Sequence, residues 1–113
     1  MATRPGNNSD LMPGTLDMLI LKTLTLGPRH GYGIARHLEQ VSDDILQVGE
    51  SSLYPALQRL LVNGWAKAGW TDTANNRRAR YYNLTPAGRK RLAQESAGFR
   101  RMIGAIDRVM ETG

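Results

Sequence analysis

The sequence predicts a mainly α fold with one small antiparallel β-hairpin, arranged as a winged helix-turn-helix followed by a C-terminal dimerisation helix. Three observations predict it. Apolar residues recur at helical spacing in three short stretches before Val62. Alternation of period two then appears on either side of Asn75-Asn76, and a seven-residue apolar spacing runs through the last quarter of the chain.

Residues 1–10, MATRPGNNSD, are polar, carry Pro5 and Gly6, and read as a flexible arm. A first helix is expected from Pro13-Gly14, capped at Thr15 or nearby, with Asp17 suiting the positive end of its dipole. Leu16, Leu19, Ile20, Thr23 and Leu24 form its stripe, and Leu21 and Leu26 widen it. A helix apolar on two sides needs two partners, one of them outside its own core. Gly27-Pro28 stops it, and Arg29 to Gly33 reads as a turn. A second helix follows, Gly31 to Val41, with Ile34, Leu38 and Val41 facing inward. Asp43-Asp44, Leu46 and Val48 make a connector that ends at Gly49.

The stretch Glu50 to Trp65, ESSLYPALQRLLVNGW, is the helix around which the rest is organised. Ser51 and Ser52 are candidate N-caps, and Pro55 is placed in the first turn. Leu53, Leu57, Leu60 and Leu61 give the apolar face, and Asn63-Gly64 supplies the left-handed stop. Ser51, Ser52, Tyr54, Gln58 and Arg59 occupy the other face, and all can bond to phosphates or base edges. Helix, turn, helix, connector and helix in that order place this last one as the reader.

Strands are expected at Trp65 to Asp72 and Ala79 to Leu84, the second with Tyr82 and Leu84 on one face. Thr73 to Arg78 joins them through Asn75-Asn76, which leaves Arg77, Arg78 and Arg80 at or beside the tip of a basic wing, with Lys67 on the first strand. Such a tip can straddle the backbone or enter a minor groove. Thr85-Pro86 then starts a helix running to about Glu111. Leu92, Phe99 and Ile106 lie seven apart, and Met102, Ile103, Val109 and Met110 fill the neighbouring positions. The seam is too long for so small a core, and Gly98 and Gly104 weaken the helix on its own, so it is read as the dimerisation element. The division expected is therefore an arm at 1–10, a DNA-binding domain at 11–84 and a dimerisation helix at 85–113.

Composition narrows the function. The 113 residues carry a formal charge of +5. Lys67 to Arg101 holds nine basic residues against Asp72 and Glu95, a balance of +7, whereas Glu39 to Glu50 stands at −4. A polyanionic partner fits the first stretch. There is no cysteine, which excludes disulfides, thiolate catalysis and Cys-based zinc. His30 and His37 are two helical turns apart, unlike a metal pair one turn apart. No phosphate loop or paired carboxylates suggest catalysis, so neither an enzyme nor a cofactor is expected. Without a leader or a spanning segment, a cytoplasmic protein with no membrane contact is predicted.

With these elements in place, the chain resembles the PadR family of bacterial transcriptional regulators. The blocks that carry the resemblance are LMPGTLDMLILKTL, GPRHGYGIARHL, SSLYPALQRL, NGW and NRRARYYNLTPAGRKRL, spanning about Leu11 to Leu92. The resemblance implies a winged-helix homodimer on palindromic operators in double-stranded DNA, often a repressor, whose terminal helix packs near the partner's first helix. By position it implies that Ser51, Ser52, Tyr54 and Gln58 face the major groove or flanking phosphates, and that Arg77, Arg78 and Arg80 form the wing; Arg59 is left open between DNA and an acid of its own subunit. Some members bind planar drugs or phenolic acids through a tryptophan of the terminal helix. That helix carries Phe99 here and no tryptophan, so a small-molecule effector is unsupported and the chain reads as a short form of the family. The competing reading is a winged-helix protein–protein assembly module or a non-specific nucleic-acid binder.

Overall fold

A computed structural model of the chain describes residues 14–72 and 78–113. The order is α1 (Thr15–Leu24), β1 (Arg29–His30), α2 (Gly31–Val41), α3 (Glu50–Val62), β2 (Ala66–Asp72), β3 (Arg78–Leu84) and α4 (Pro86–Glu111). The three strands form one antiparallel sheet in the order β1-β3-β2. The expected arm, the Asn75-Asn76 turn and Arg77 lie outside the described residues. No helix among the described residues is long and apolar enough to cross a membrane.

The core lies where α1, α2 and α3 meet the sheet. Leu16, Ile20, Leu21 and Leu24 of α1 close on Ile34, Ala35 and Leu38 of α2 and on Leu53, Ala56, Leu57 and Leu60 of α3. Ala66 and Tyr82 seal it from the sheet side. Thr23 is buried in the same layer and satisfies its hydroxyl by donating to the Leu19 carbonyl at 2.9 Å. Met18 and Ala35 are also buried, although the stripe read from sequence passed over them. Leu26 and Val41, expected to extend apolar surfaces, are instead exposed. Both lie just past the last turn that packs, where the periodicity continues but the neighbouring element has ended.

Local chemistry explains most boundaries. α3 ends in a Schellman motif: Gly64 sits at φ 73°, its N–H donates to the Leu61 carbonyl, and the Trp65 N–H donates to the Leu60 carbonyl. α4 starts as Thr85-Pro86 predicts, the Thr85 hydroxyl accepting from the Gly88 N–H at 2.9 Å and donating to the Gly64 carbonyl at 2.7 Å. One threonine thus caps α4 and ties it to the end of α3.

Other starts differ from the sequence reading. The N-cap of α1 is Gly14, at φ 92°, so Thr15 is the first helical residue and not the cap. The N-cap of α3 is Gly49, in extended conformation, so Ser51 and Ser52 lie inside the first turn and cap nothing with their side chains. Pro55 is consequently at the sixth helical position rather than in the first turn. It has no N–H to offer the Ser51 carbonyl, so that intrahelical bond is missing from the middle of α3. Arg29 and His30, read as turn, form β1 against Tyr82 and Tyr81 of β3, which makes the sheet three-stranded instead of a lone hairpin. β2 begins at Ala66 and β3 at Arg78, each one residue from the expected start.

Candidate nucleic-acid interface

The rotation of α3 is fixed by what it buries. With Leu53, Ala56, Leu57 and Leu60 in the core, Ser51, Tyr54, Gln58 and Arg59 are exposed on the opposite side and Ser52 lies at the margin. Among the described residues the side chains of Ser51, Ser52, Tyr54 and Gln58 make no hydrogen bond, so their donors and acceptors are open to a ligand. Tyr54 is only partly committed. Its ring lies over Gly31 at the start of α2, where an added Cβ would sit 3.3 Å from Tyr54 Cε1 and 3.4 Å from its hydroxyl. Gly31 therefore lets α2 and α3 approach closely while the phenol stays half exposed.

Arg59 takes the second of the two readings its sequence position left open, an acid of its own chain. Its Nε and Nη2 donate to Asp17 Oδ2 at 3.0 Å and Oδ1 at 2.7 Å, a bidentate pair joining α3 to α1. Those hydrogen bonds raise the guanidinium further above its ordinary value against a small opposing effect of burial. Half exposed on the outer face, Arg59 thus also ties α3 to α1.

The wing is built by the β2–β3 register. Asp72 faces Arg78, Trp70 faces Arg80 and Ala68 faces Tyr82. Alternation puts Ala66, Ala68, Trp70 and Asp72 on the same side as Arg78, Arg80 and Tyr82, the side that reaches the core through Ala66 and Tyr82. Arg78 and Arg80 are both exposed on it. Lys67, paired with Asn83, is exposed on the other side near the base of the hairpin, so it does not join the two wing arginines. On that reverse side the Tyr81 ring lies across Gly69, leaving no room for a side chain there. The third predicted wing residue, Arg77, lies outside the described residues.

Trp70 is the residue that sequence reasoning missed. Its ring is 5.1 Å from the Arg78 guanidinium and 5.9 Å from that of Arg80. Arg80 lies also 5.9 Å from the Tyr82 ring. The signal was present as an aromatic among alternating arginines, but it can be used only once the hairpin register is known.

The terminal helix divides into two parts. Its first turns pack on α1, and Leu92, the first member of the predicted seam, lies partly buried against the core. Arg91 stacks on Trp65 at 4.7 Å and pairs with Glu95 at 3.0 Å. Beyond it, Phe99, Met102, Ile103, Ile106, Val109 and Met110 are all exposed, from 41% for Phe99 to 77% for Met110. Met18 of α1 and Phe99, Ile103 and Ile106 of α4 line one open groove.

The profile of the transcriptional regulator PadR-like family matches residues 20–94. Among solved structures, a transcriptional regulator from Clostridium thermocellum is 29% identical with a TM-score of 0.81, covering 88% of this chain and 96% of its own. A PadR family transcriptional regulator from Eggerthella lenta is 27% identical with a TM-score of 0.76, covering 88% of this chain and 85% of its own. An uncharacterised protein of Lysinibacillus sphaericus is 28% identical over 103 residues, 91% of this chain and 94% of its own. The matched profile takes in α2, α3, the wing and the capped start of α4, and the chain belongs to the PadR-like family of DNA-binding transcriptional regulators.

Proposed function

We propose that the chain is a homodimeric, sequence-specific repressor that reads a palindromic operator. The observation that carries this reading is the outer half of α4, where six large apolar side chains are exposed along one helix while the domain core is complete without them. A patch of that kind marks an interface. Gly98 and Gly104 each cost this helix about 1 kcal/mol against alanine, so a partner surface is also what stabilises it. In this reading residues 85–113 join two subunits and the unit ending at Leu84 binds DNA.

Two-fold symmetry then sets two copies of α3 about one DNA turn, ~34–36 Å, apart, which is why the operator is palindromic. Ser51, Ser52 and the Tyr54 hydroxyl contact phosphate or the groove edge, and Gln58 reads a base, adenine being its bidentate partner. Arg78 and Arg80 bind the backbone flanking each half-site. Bound at a promoter, the dimer represses by occupying it. A small-molecule effector has no residue in its favour on α4.

Sedimentation equilibrium of Phe99→Glu and Ile106→Glu tests the dimer. Both variants are expected to be folded monomers, because the two side chains lie outside the core, and to bind an operator at least about 10-fold more weakly. A dimer that survives both substitutions would remove α4 as the interface.

A further inference from the structure

The side of the wing that carries Arg78 and Arg80 is organised as a stack. Tyr82, buried in the core, is its base; Arg80 lies over Tyr82 and over Trp70; Arg78 lies over Trp70 farther out. Trp70 itself is 57% exposed, too much for a core residue. The direct cross-strand neighbour of Arg78 is Asp72, and an opposite charge there normally attracts its partner. Among the described residues, however, the only ion pairs are Arg59 with Asp17 and Arg91 with Glu95. Arg78 instead lies over the diagonal Trp70.

The difference matters chemically. A carboxylate would occupy the N–H donors of a guanidinium and cancel its charge. An indole face holds the cation through the ring quadrupole and leaves the donors at the edge of the guanidinium plane unused. The arginines are thereby restrained without being neutralised. Free arginine side chains lose rotamer freedom when a ligand immobilises them, and restraint in advance reduces that loss.

We propose that Trp70 is a positioning residue for DNA binding: it holds Arg78 and Arg80 extended and unneutralised on one side of the wing, and does not itself read the nucleic acid. The proposal rests on the reading of the wing as a DNA contact. Two arms of one experiment separate them. In the DNA-free protein, NMR of the arginine side chains is expected to show Arg78 and Arg80 resonances displaced by the indole ring current in the wild type. The displacement disappears in Trp70→Leu and persists, reduced, in Trp70→Phe. Undisplaced resonances in the wild type overturn the proposal whatever the protein binds.

In the second arm, duplex affinity is measured for the same variants in the wild-type and in the Arg78→Ala/Arg80→Ala background. Trp70→Leu is expected to weaken binding about 3- to 10-fold on every duplex, Trp70→Phe to recover most of it, and Trp70→Leu to have no further effect once both arginines are gone. A loss of the same size without the arginines would make Trp70 a direct contact and overturn the positioning role, as would wild-type affinity in Trp70→Leu. Displaced resonances in a wild type that binds no duplex would defeat the reading of the wing and leave the stack intact. Trp70 lies outside the core, so both variants retain the fold.

Discussion

A methyl group on Gly88 would run into the carbonyl oxygen of Trp65 and lie 2.8 Å from Leu84 Cδ1. The first turn of α4 is pressed onto the end of α3 at this point, with the Thr85 hydroxyl closing the junction. Gly88→Ala is therefore expected to lower stability by about 2–3 kcal/mol, read as a fall in the denaturation midpoint; an unchanged midpoint would mean that the junction yields easily. Tyr82 makes a prediction about base. Burial raises its hydroxyl above the ordinary value near 10, with Arg80 opposing and Tyr54 adding a little. Its contribution to stability is thus complete below pH 10 and is lost as the pH rises beyond it, because the unfolded chain ionises first. Thermal melts of wild type and Tyr82→Phe between pH 9 and 11 should show a steeper decline for the wild type.

Residues also show where sequence stops short. The Thr85 cap and the Gly64 stop are legible because each is a local device, complete within a few residues. The Arg59 partner is 42 positions away, so nothing near Arg59 says that its fork belongs to Asp17. That Arg59 pairs with an acid of its own chain was one of two readings open from the sequence; which acid it is, only the fold shows.

At the scale of elements, periodicity located all four helices and both hairpin strands to within a few residues, because each carries its own apolar pattern. β1 escaped it. Two residues have no periodicity, and Arg29–His30 is a strand only because β3 lies beside it; the His30 Nδ1–H donating to the Arg80 carbonyl at 3.0 Å fixes the ring there. The start of α3 was misjudged for a related reason. Serines are better caps than glycine by local preference, but Gly49 enters extended from the connector and starts the helix two residues early. For the same reason the wing stack was invisible: Trp70 and Arg80 are opposite only in one register.

The reader helix and the wing should fail differently. Gln58→Ala is expected to relax preference among operator variants by about 1–3 kcal/mol at one base pair while leaving non-specific affinity alone. Arg78→Ala should weaken all duplexes alike and reduce the salt slope by about 1. Equal losses for Gln58→Ala on every sequence would take it out of the readout role.

For the molecule as a whole, the longest dimension is 59 Å against 35 and 21 Å, and α4, ~39 Å long at 1.5 Å per residue, accounts for much of the elongation. One end is the winged domain and the other is the outer part of α4, along which six large apolar side chains are exposed. Under the proposed function a two-fold assembly would cover that apolar end, and the basic charge lies between the two ends, with +7 from Lys67 to Arg101. The seven-residue seam was legible in the sequence from Phe99 onward. Leu92 continues the same spacing but lies partly buried against the domain core, whereas the side chains from Phe99 onward are exposed, a difference that spacing alone does not carry.

Sequence-specific binding is tested most directly by measuring the affinity of the chain for a duplex from its own gene's upstream region and for a scrambled duplex of equal length, across a salt series. Log affinity for both should fall with log salt at about −0.9 per phosphate neutralised. The upstream duplex should keep a preference of ~10³ or more at physiological salt. Equal and steeply salt-dependent binding to the two duplexes would contradict sequence-specific reading by α3 and leave a basic protein that holds DNA by charge alone.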